Sequence, residues 1–204
     1  LSSSPDVSES IPIPDISENN DIVKIFQIFN KYILIEFADQ RLWIVDQHAA
    51  AERINFEKLL KRDNENLQNL LVPSILPFTE TELLFLEENI SFFKSLGFVF
   101  KVQKDSILLE TIPAEFVDTD FSKLFEEVFS LEDNIENLSK NIEKRKNDIL
   151  ATIACHGSVR AGQKLSYEEM LSLFKDLSKC NNPYSCPHGR PAIWKLNIED
   201  IDHN

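Results

Sequence analysis

Basic residues are in short supply in this sequence: 21 lysines and arginines stand against 34 aspartates and glutamates, for a net charge of −13. The phosphates of a duplex repel most of such a surface. Tight nucleic-acid binding by the chain alone is therefore excluded, and contact with DNA must be local or assisted. Long apolar runs are missing as well. None approaches the roughly 20 residues that a membrane span requires, so no membrane association is expected. Cysteine is scarce and odd in number, three in 204 residues, which argues against a disulfide framework. There is no Cys-x-x-Cys for thiol redox chemistry, and neither the His-x-Glu nor the Pro-Cys-x-x-Cys of a zinc nucleobase deaminase. No basic segment followed by an apolar run opens the chain, so no secretory signal is read and a soluble, reducing, intracellular setting is expected. Because the sequence begins with Leu1 rather than Met, it reads as a piece of something longer. It has no internal repeat and no Gly-rich phosphate-cradling loop.

What is present is apolar bulk. A hydrophobic content of 43%, including 15 phenylalanines, supplies one sizeable core or two small ones without staples. Residues 1–20, rich in Ser, Pro, Asp and Glu, have the composition of a solvated linker and are left out of the fold. From Ile22 onward IVKIFQIF, YILIEF and RLWIV read as strands with turns at Asn30-Lys31 and Ala38-Asp39-Gln40. Asp46 then stands at or beside the N-cap of a helix carrying Ile54, Phe56, Leu59 and Leu60. Pro73 and Pro77 mark a break. Thr79 with Glu82 has capping-box spacing for a helix that Gly97 closes. FVFKV and SILLETI follow as strands joined at Lys104-Asp105, and DFSKLFEEVFSL as an amphipathic helix. A charged helix starts near Ile142, Ser166 with Glu169 forms a second capping box, and AIWKLNI closes the chain as a strand. The expected fold is α/β (α+β). A subdomain built from both chain ends, 21–71 and 143–204, carries a smaller inserted α/β subdomain at 72–142.

Three places offer chemistry. His48 and Glu52, four apart on the predicted helix, project from one face; they either share a metal or form one of the pairs common on solvated helices. Glu57 reads as a surface charge. In Cys186-Pro187-His188, Pro187 favours an extended residue before it, so thiol and imidazole point the same way, either as zinc ligands or as a buried thiol and a capping histidine. Gly189 permits a sharp turn directly afterwards. Cys155 lies in an apolar helical stretch, as a core residue or as the group that completes a site with the other two pairs. His156 should face solvent, Cys180 reads as structural, and His203 has no evident role.

Asp46-Gln47-His48-Ala49, with Glu52 and Glu57 at fixed spacing, resembles the signature metal-binding motif of the MutL endonucleases of DNA mismatch repair. Ala154-Cys155-His156-Gly157-Ser158-Val159-Arg160 is similar to that family's second short motif. Cys186-Pro187-His188-Gly189-Arg190-Pro191 matches its third, CPHGRP. The motifs occur in the family's order, and the resemblance covers about residues 22 to 196.

The resemblance implies a dimerisation part formed by both chain ends, a smaller external part, and nicking of the newly made DNA strand. By position it makes Asp46 the residue required for cleavage, assisted by Glu52. It makes His48, Glu52, Cys155, Cys186 and His188 ligands for up to two zinc ions. Asp46 is expected to hold a catalytic Mn²⁺ or Mg²⁺, hard cations that prefer carboxylates. Arg190 either contacts phosphate or holds the Gly-Arg-Pro turn. Gln68, Leu71 and Pro73 fit the short peptide with which bacterial members of the family dock on the replication sliding clamp, or they form an ordinary apolar turn. Implied partners are a second copy in a homodimer, DNA bound weakly, the clamp, a mismatch-recognition protein, and an ATPase domain upstream in the same chain. The implied location is the bacterial cytoplasm, at the nucleoid. The competing reading is a non-catalytic, zinc-stabilised dimerisation and clamp-docking module.

Overall fold

A computed structural model describes residues 22–61, 67–76, 78–103, 106–133, 142–157 and 163–197. The linker at 1–20, the turn at Lys104-Asp105, Pro77, Arg160 and His203 lie outside the described residues. In chain order the elements are β1 (Ile22–Ile28), β2 (Tyr32–Phe37), β3 (Arg41–Asp46), α1 (Gln47–Leu60), β4 (Leu67–Leu76) and α2 (Glu80–Ser95). There follow β5 (Val99–Gln103), β6 (Ser106–Pro113), a 3₁₀ turn (Ala114–Phe116), α3 (Phe121–Asp133), α4 (Ile142–His156), α5 (Tyr167–Ser178) and β7 (Ile193–Asn197). The mixed α/β architecture expected from the sequence is the one observed.

Two antiparallel sheets organise it, with strand orders β1-β2-β3-β7 and β4-β6-β5. The first closes through tight turns at 29–31 and 38–40, which include the Asn30-Lys31 and Ala38-Asp39-Gln40 turns read from the sequence. Inside a turn closed by Lys31 N–H to Ile28 O at 3.0 Å, with three residues, 29–31, between the paired Ile28 and Tyr32, Phe29 and Asn30 take the left-handed conformation. Gln40 does the same at the end of the second hairpin. Alternation along β2 and β3 buries Ile33, Ile35, Phe37, Trp43 and Val45 against Ala50 of α1 and Phe174 and Leu177 of α5. The opposite face carries an apolar row, Phe26, Leu34, Ile44 and Trp194, in register across the strands.

The second sheet carries α2 and α3 and a phenylalanine-rich core in which Phe93, Phe98, Phe116 and Phe125 are almost fully buried. Edge-to-face rings recur, for example Phe98 to Phe116 at 5.4 Å and Phe100 to Phe125 at 5.2 Å. Each buried ring contributes roughly 1.5–3 kcal/mol relative to exposure. The apolar bulk is therefore divided into two cores. Helix α1 joins them, placing Ala49, Ala50 and Ile54 in one and Leu59 in the other, while Ile149, Leu150, Ile153 and Ala154 of α4 enter the second.

Both capping boxes form, Thr79 with Glu82 and Ser166 with Glu169, and Gly97 closes α2 at φ 90. Pro73 does not end an element. It lies inside β4, where the pairing with β6 jumps between Asn69 and Ser74, and such a bulge needs no ladder N–H from proline. β4 starts at Leu67, five residues before the expected boundary at 72.

Candidate metal centre

Asp46 ends β3 and caps α1. Its Oδ1 accepts from the backbone N–H of His48 at 2.9 Å and of Ala49 at 3.1 Å, the aspartate N-cap arrangement expected at that junction. The cap leaves Oδ2 unused. Fixing the first turn of α1 sets the direction of His48, and one turn further on Glu52 lies on the same face, with His48 Nε2 at 3.2 Å from Glu52 Oε1.

Glu52 is 1% exposed and belongs to two ligand groups at once. His48, Glu52 and Cys155 present ligand atoms within 4.8 Å of one another, and so do Glu52, Cys186 and His188. His188 Nδ1 stands 3.8 Å from Glu52 Oε2. Four side chains read from the sequence as ligands, His48, Cys155, Cys186 and His188, thus converge on the buried Glu52 carboxylate, and Asp46 stands beside them without entering either group. Burial pushes the Glu52 carboxyl up, but hydrogen bonds from His48, Cys155 and Cys186 outweigh it and hold the pKa at about 2. Burial and the neighbouring Glu52 push the Cys186 thiol up. Even so, Oε2 of the ionised carboxylate has no hydrogen-bond partner among the described residues. A buried polar group left so is destabilising by roughly 1–3 kcal/mol, more when charged, and a cation at that point removes the deficit. Imidazole, thiolate and carboxylate in sets of three, with a coordination position left over, suit zinc.

The tertiary fold supplies Cys155 and the Cys186–His188 turn from far along the chain. Cys155 sits near the end of α4, which closely approaches the 3₁₀ turn: a Cβ at Gly157 would meet the Phe116 ring at 2.7 Å. Cys186 N–H donates to Arg190 O at 2.9 Å, and Gly189, at φ 83, donates to Cys186 O, so the sharp turn read at Gly189 is present. Arg190 itself is exposed. A cavity of about 530 Å³ opens beside His188, walled by Arg53, Phe56, Asn147, Thr152 and Pro187.

Several assignments change. Glu57 is not a surface charge; it is 5% exposed and accepts from the backbone N–H of Asn181 and of Asn182. The loop between α5 and β7 has backbone donors without strand partners, and this carboxylate satisfies two of them. His156 does not face open solvent: its side chain is 14% exposed and lies 3.0 Å from Glu127 of α3, because α3 packs on that side of α4. Cys180 is half-buried, its Sγ 3.5 Å from Asp176 O, and burial drives its pKa to about 11, in keeping with a structural thiol. Gln68, paired with Ile112, and Leu71, in the irregular part of β4, are exposed, and Pro73 is half-buried; Leu71 and Val72 are among the most exposed apolar side chains described.

Sequence reasoning passed over Arg53, and also Gln47, whose fully buried side chain joins Gln27 Nε2 at 2.6 Å and Gln163 O at 3.2 Å. That network ties β1 and the segment entering α5 to the start of α1. The one available signal, the i, i+4 spacing of Arg53 and Glu57, is shared by many solvated helices.

The sequence model described as the MutL C terminal dimerisation domain matches residues 25–165. Among curated relatives, the DNA mismatch repair protein MutL of Clostridium botulinum (strain Loch Maree / Type A3) is 36% identical over 96% of this chain and 30% of its own length. The protein of that name from Clostridium beijerinckii is 35% identical over 95% of this chain and 29% of its own length. The one from Dictyoglomus thermophilum is 35% identical over 96% and 33%. The chain therefore spans about a third or less of the length of these relatives.

Proposed function

The chain belongs to the family of MutL C-terminal dimerisation domains, and from that membership we propose that it is a metal-dependent nicking endonuclease domain of DNA mismatch repair, acting as a homodimer. The observation that carries the reading is the Glu52 carboxylate, buried, ionised, shared by two ligand groups, and holding one oxygen without a partner.

His48, Cys155, Cys186 and His188 would hold zinc as an organising ion around Glu52. Asp46 Oδ2, left over by the helix cap, is the atom offered to Mn²⁺ or Mg²⁺, for which an oxygen ligand is the better match. A bound divalent cation supplies polarisation of the scissile phosphate and lowers the pKa of an attached water. The residues of the chain do the placing. Asp46 pins the first turn of α1, α1 aims His48 at Glu52, α4 brings Cys155, and the Cys186–His188 turn brings the last two ligands to the same carboxylate.

Other features favour the implied partners. The row Phe26, Leu34, Ile44 and Trp194 leaves an apolar face on the first sheet, with Phe26 44% and Trp194 40% exposed, suited to a second copy. Exposed Gln68 and Leu71 suit a sliding clamp, which would deliver this acidic chain to DNA that it binds weakly alone. No helix among the described residues is long and apolar enough to cross a membrane. A cytoplasmic place at the nucleoid, a mismatch-recognition partner and an upstream ATPase domain complete the proposal.

One observation favours the second reading, a zinc-stabilised dimerisation and clamp-docking module without catalysis. Asp46 stands outside both ligand groups and already serves as a cap. Nicking of supercoiled plasmid in Mn²⁺, with zinc content measured on the same sample, separates the two. Loss of nicking in Asp46→Asn supports the endonuclease, and zinc retention with no nicking by the parent chain supports the module.

A further inference from the structure

The loop that delivers Cys186 and His188 is held by two α1 side chains to which no ligand role has been given. Glu57 Oε2 accepts from Asn181 N–H at 2.7 Å and its Oε1 from Asn182 N–H at 3.1 Å. Arg53, 8% exposed, donates from Nε to Ser185 O at 2.7 Å. Its Nη1 lies 3.9 Å from Glu57 Oε1, and its guanidinium lies 5.4 Å from the centre of the Phe56 ring. Lys61 Nζ completes the surroundings of Glu57 at 3.2 Å. Three hydrogen bonds within residues 181–185 thus fasten the segment just before Cys186 to the helix that itself presents His48 and Glu52.

The chemistry of these contacts fits placement. A carboxylate accepts two parallel backbone N–H groups, and a guanidinium reaches a carbonyl from a planar, directional donor. Neither group belongs to either apolar core, so both cores keep their side chains when the clamp is removed. Between α5 and β7 the loop is otherwise short of regular pairing, with one isolated bridge, Ser185 to Pro191. Ligand constellations tolerate only about 0.5 Å of drift, which an unfastened loop exceeds easily.

We propose that Arg53 and Glu57 are positioning residues of the metal centre: they fix the height of residues 181–185 on α1, so that Cys186 and His188 arrive at the Glu52 carboxylate. The proposal rests on the metal-centre reading given above. Helix α1 then carries four of the five ligand side chains, two directly and two through the clamp, and α4 supplies Cys155.

The test uses this chain as Glu57→Gln, in which one acceptor oxygen becomes a donor facing a backbone N–H, and as Arg53→Lys, which keeps the charge and loses the Nε donor. Zinc affinity is read by competition with a chromophoric chelator, and thiolate ligation by the sulfur-to-cobalt charge-transfer band after Co²⁺ loading. Well below the melting transition of each variant, zinc affinity should fall roughly 10- to 100-fold, with a weaker band per cobalt. Variants that melt earlier yet bind zinc and cobalt like the parent overturn the proposal, since that is what a purely stabilising role gives. If Glu57→Gln does not fold, Arg53→Lys decides. If the parent itself takes up no zinc, the metal reading fails. Positioning is then decided by alkylation of Cys186 in metal-free protein, mapped by peptide mass: faster modification in the variants supports it, and equal rates overturn it.

Discussion

Glu52 and His48 meet across one turn of α1, Oε1 to Nε2 at 3.2 Å, while the second oxygen of the same carboxylate faces His188 at 3.8 Å. A single side chain therefore joins what a neighbouring helical turn supplies to what a distant loop supplies. Its ionisation and its unsatisfied oxygen are the main physical arguments for a cation there.

Glu52 gives a pH signature in the metal-free protein. Its carboxyl is held at about 2 against an ordinary 4.5, with burial opposing and the hydrogen bonds from His48, Cys155 and Cys186 prevailing. A depressed carboxylate contributes stability in full above its unfolded pKa and loses it as pH falls through the folded one. The window is therefore pH 4.5 down to about 2. Urea midpoints across that range should fall more steeply for the parent than for Glu52→Gln. Parallel slopes would refute the assignment.

Gly157, directly after α4, lies against the Phe116 ring of the 3₁₀ turn, and its missing side chain permits this. Gly157→Ala forces the Phe116 ring or the helix end to move. The expected loss is about 1–3 kcal/mol, the usual range for overpacking, measured by chemical denaturation. Zinc affinity should fall with it, because Cys155 lies two residues earlier on the same helix end.

The exposed segment of β4 separates recruitment from chemistry. Gln68→Ala with Leu71→Ala removes side chains that lie in solvent, so stability should change by no more than about 0.5 kcal/mol. Nicking without the clamp should persist, and its stimulation by the clamp should disappear. Equal loss of both activities would sink the docking role.

Self-association should depend on the outer apolar row of the first sheet. Phe26→Glu places a charge beside Leu34, at the β1 end of the row that continues through Ile44 to Trp194, without touching the inner face. Sedimentation equilibrium should show a shift toward monomer with unchanged zinc content. A dimer as strong as the parent's would move the interface elsewhere.

Much of this architecture was legible in the residues. Asp46 at a strand end before alanines, the two capping boxes, and Gly97 after a helix act over a few residues and formed where read. Pro73 was misleading, because whether proline ends a strand or sits in a bulge depends on the neighbouring strand. The first turn includes Asn30 and Lys31 as read, and begins one residue earlier, at Phe29, whose positive φ no short-range signal announced.

The sequence by itself determined the element types, the His48–Glu52 pair and the Cys186–His188 turn, because i, i+4 spacing, cap chemistry and proline geometry operate at short range. The tertiary structure alone decided that the apolar bulk forms two cores joined by α1, and that Glu52 is shared between two ligand groups. It also decided that Glu57 is buried under a loop more than a hundred residues away along the chain. A carboxylate on a helix looks the same in sequence whether it meets water or backbone N–H groups, and only packing determines which of these it meets.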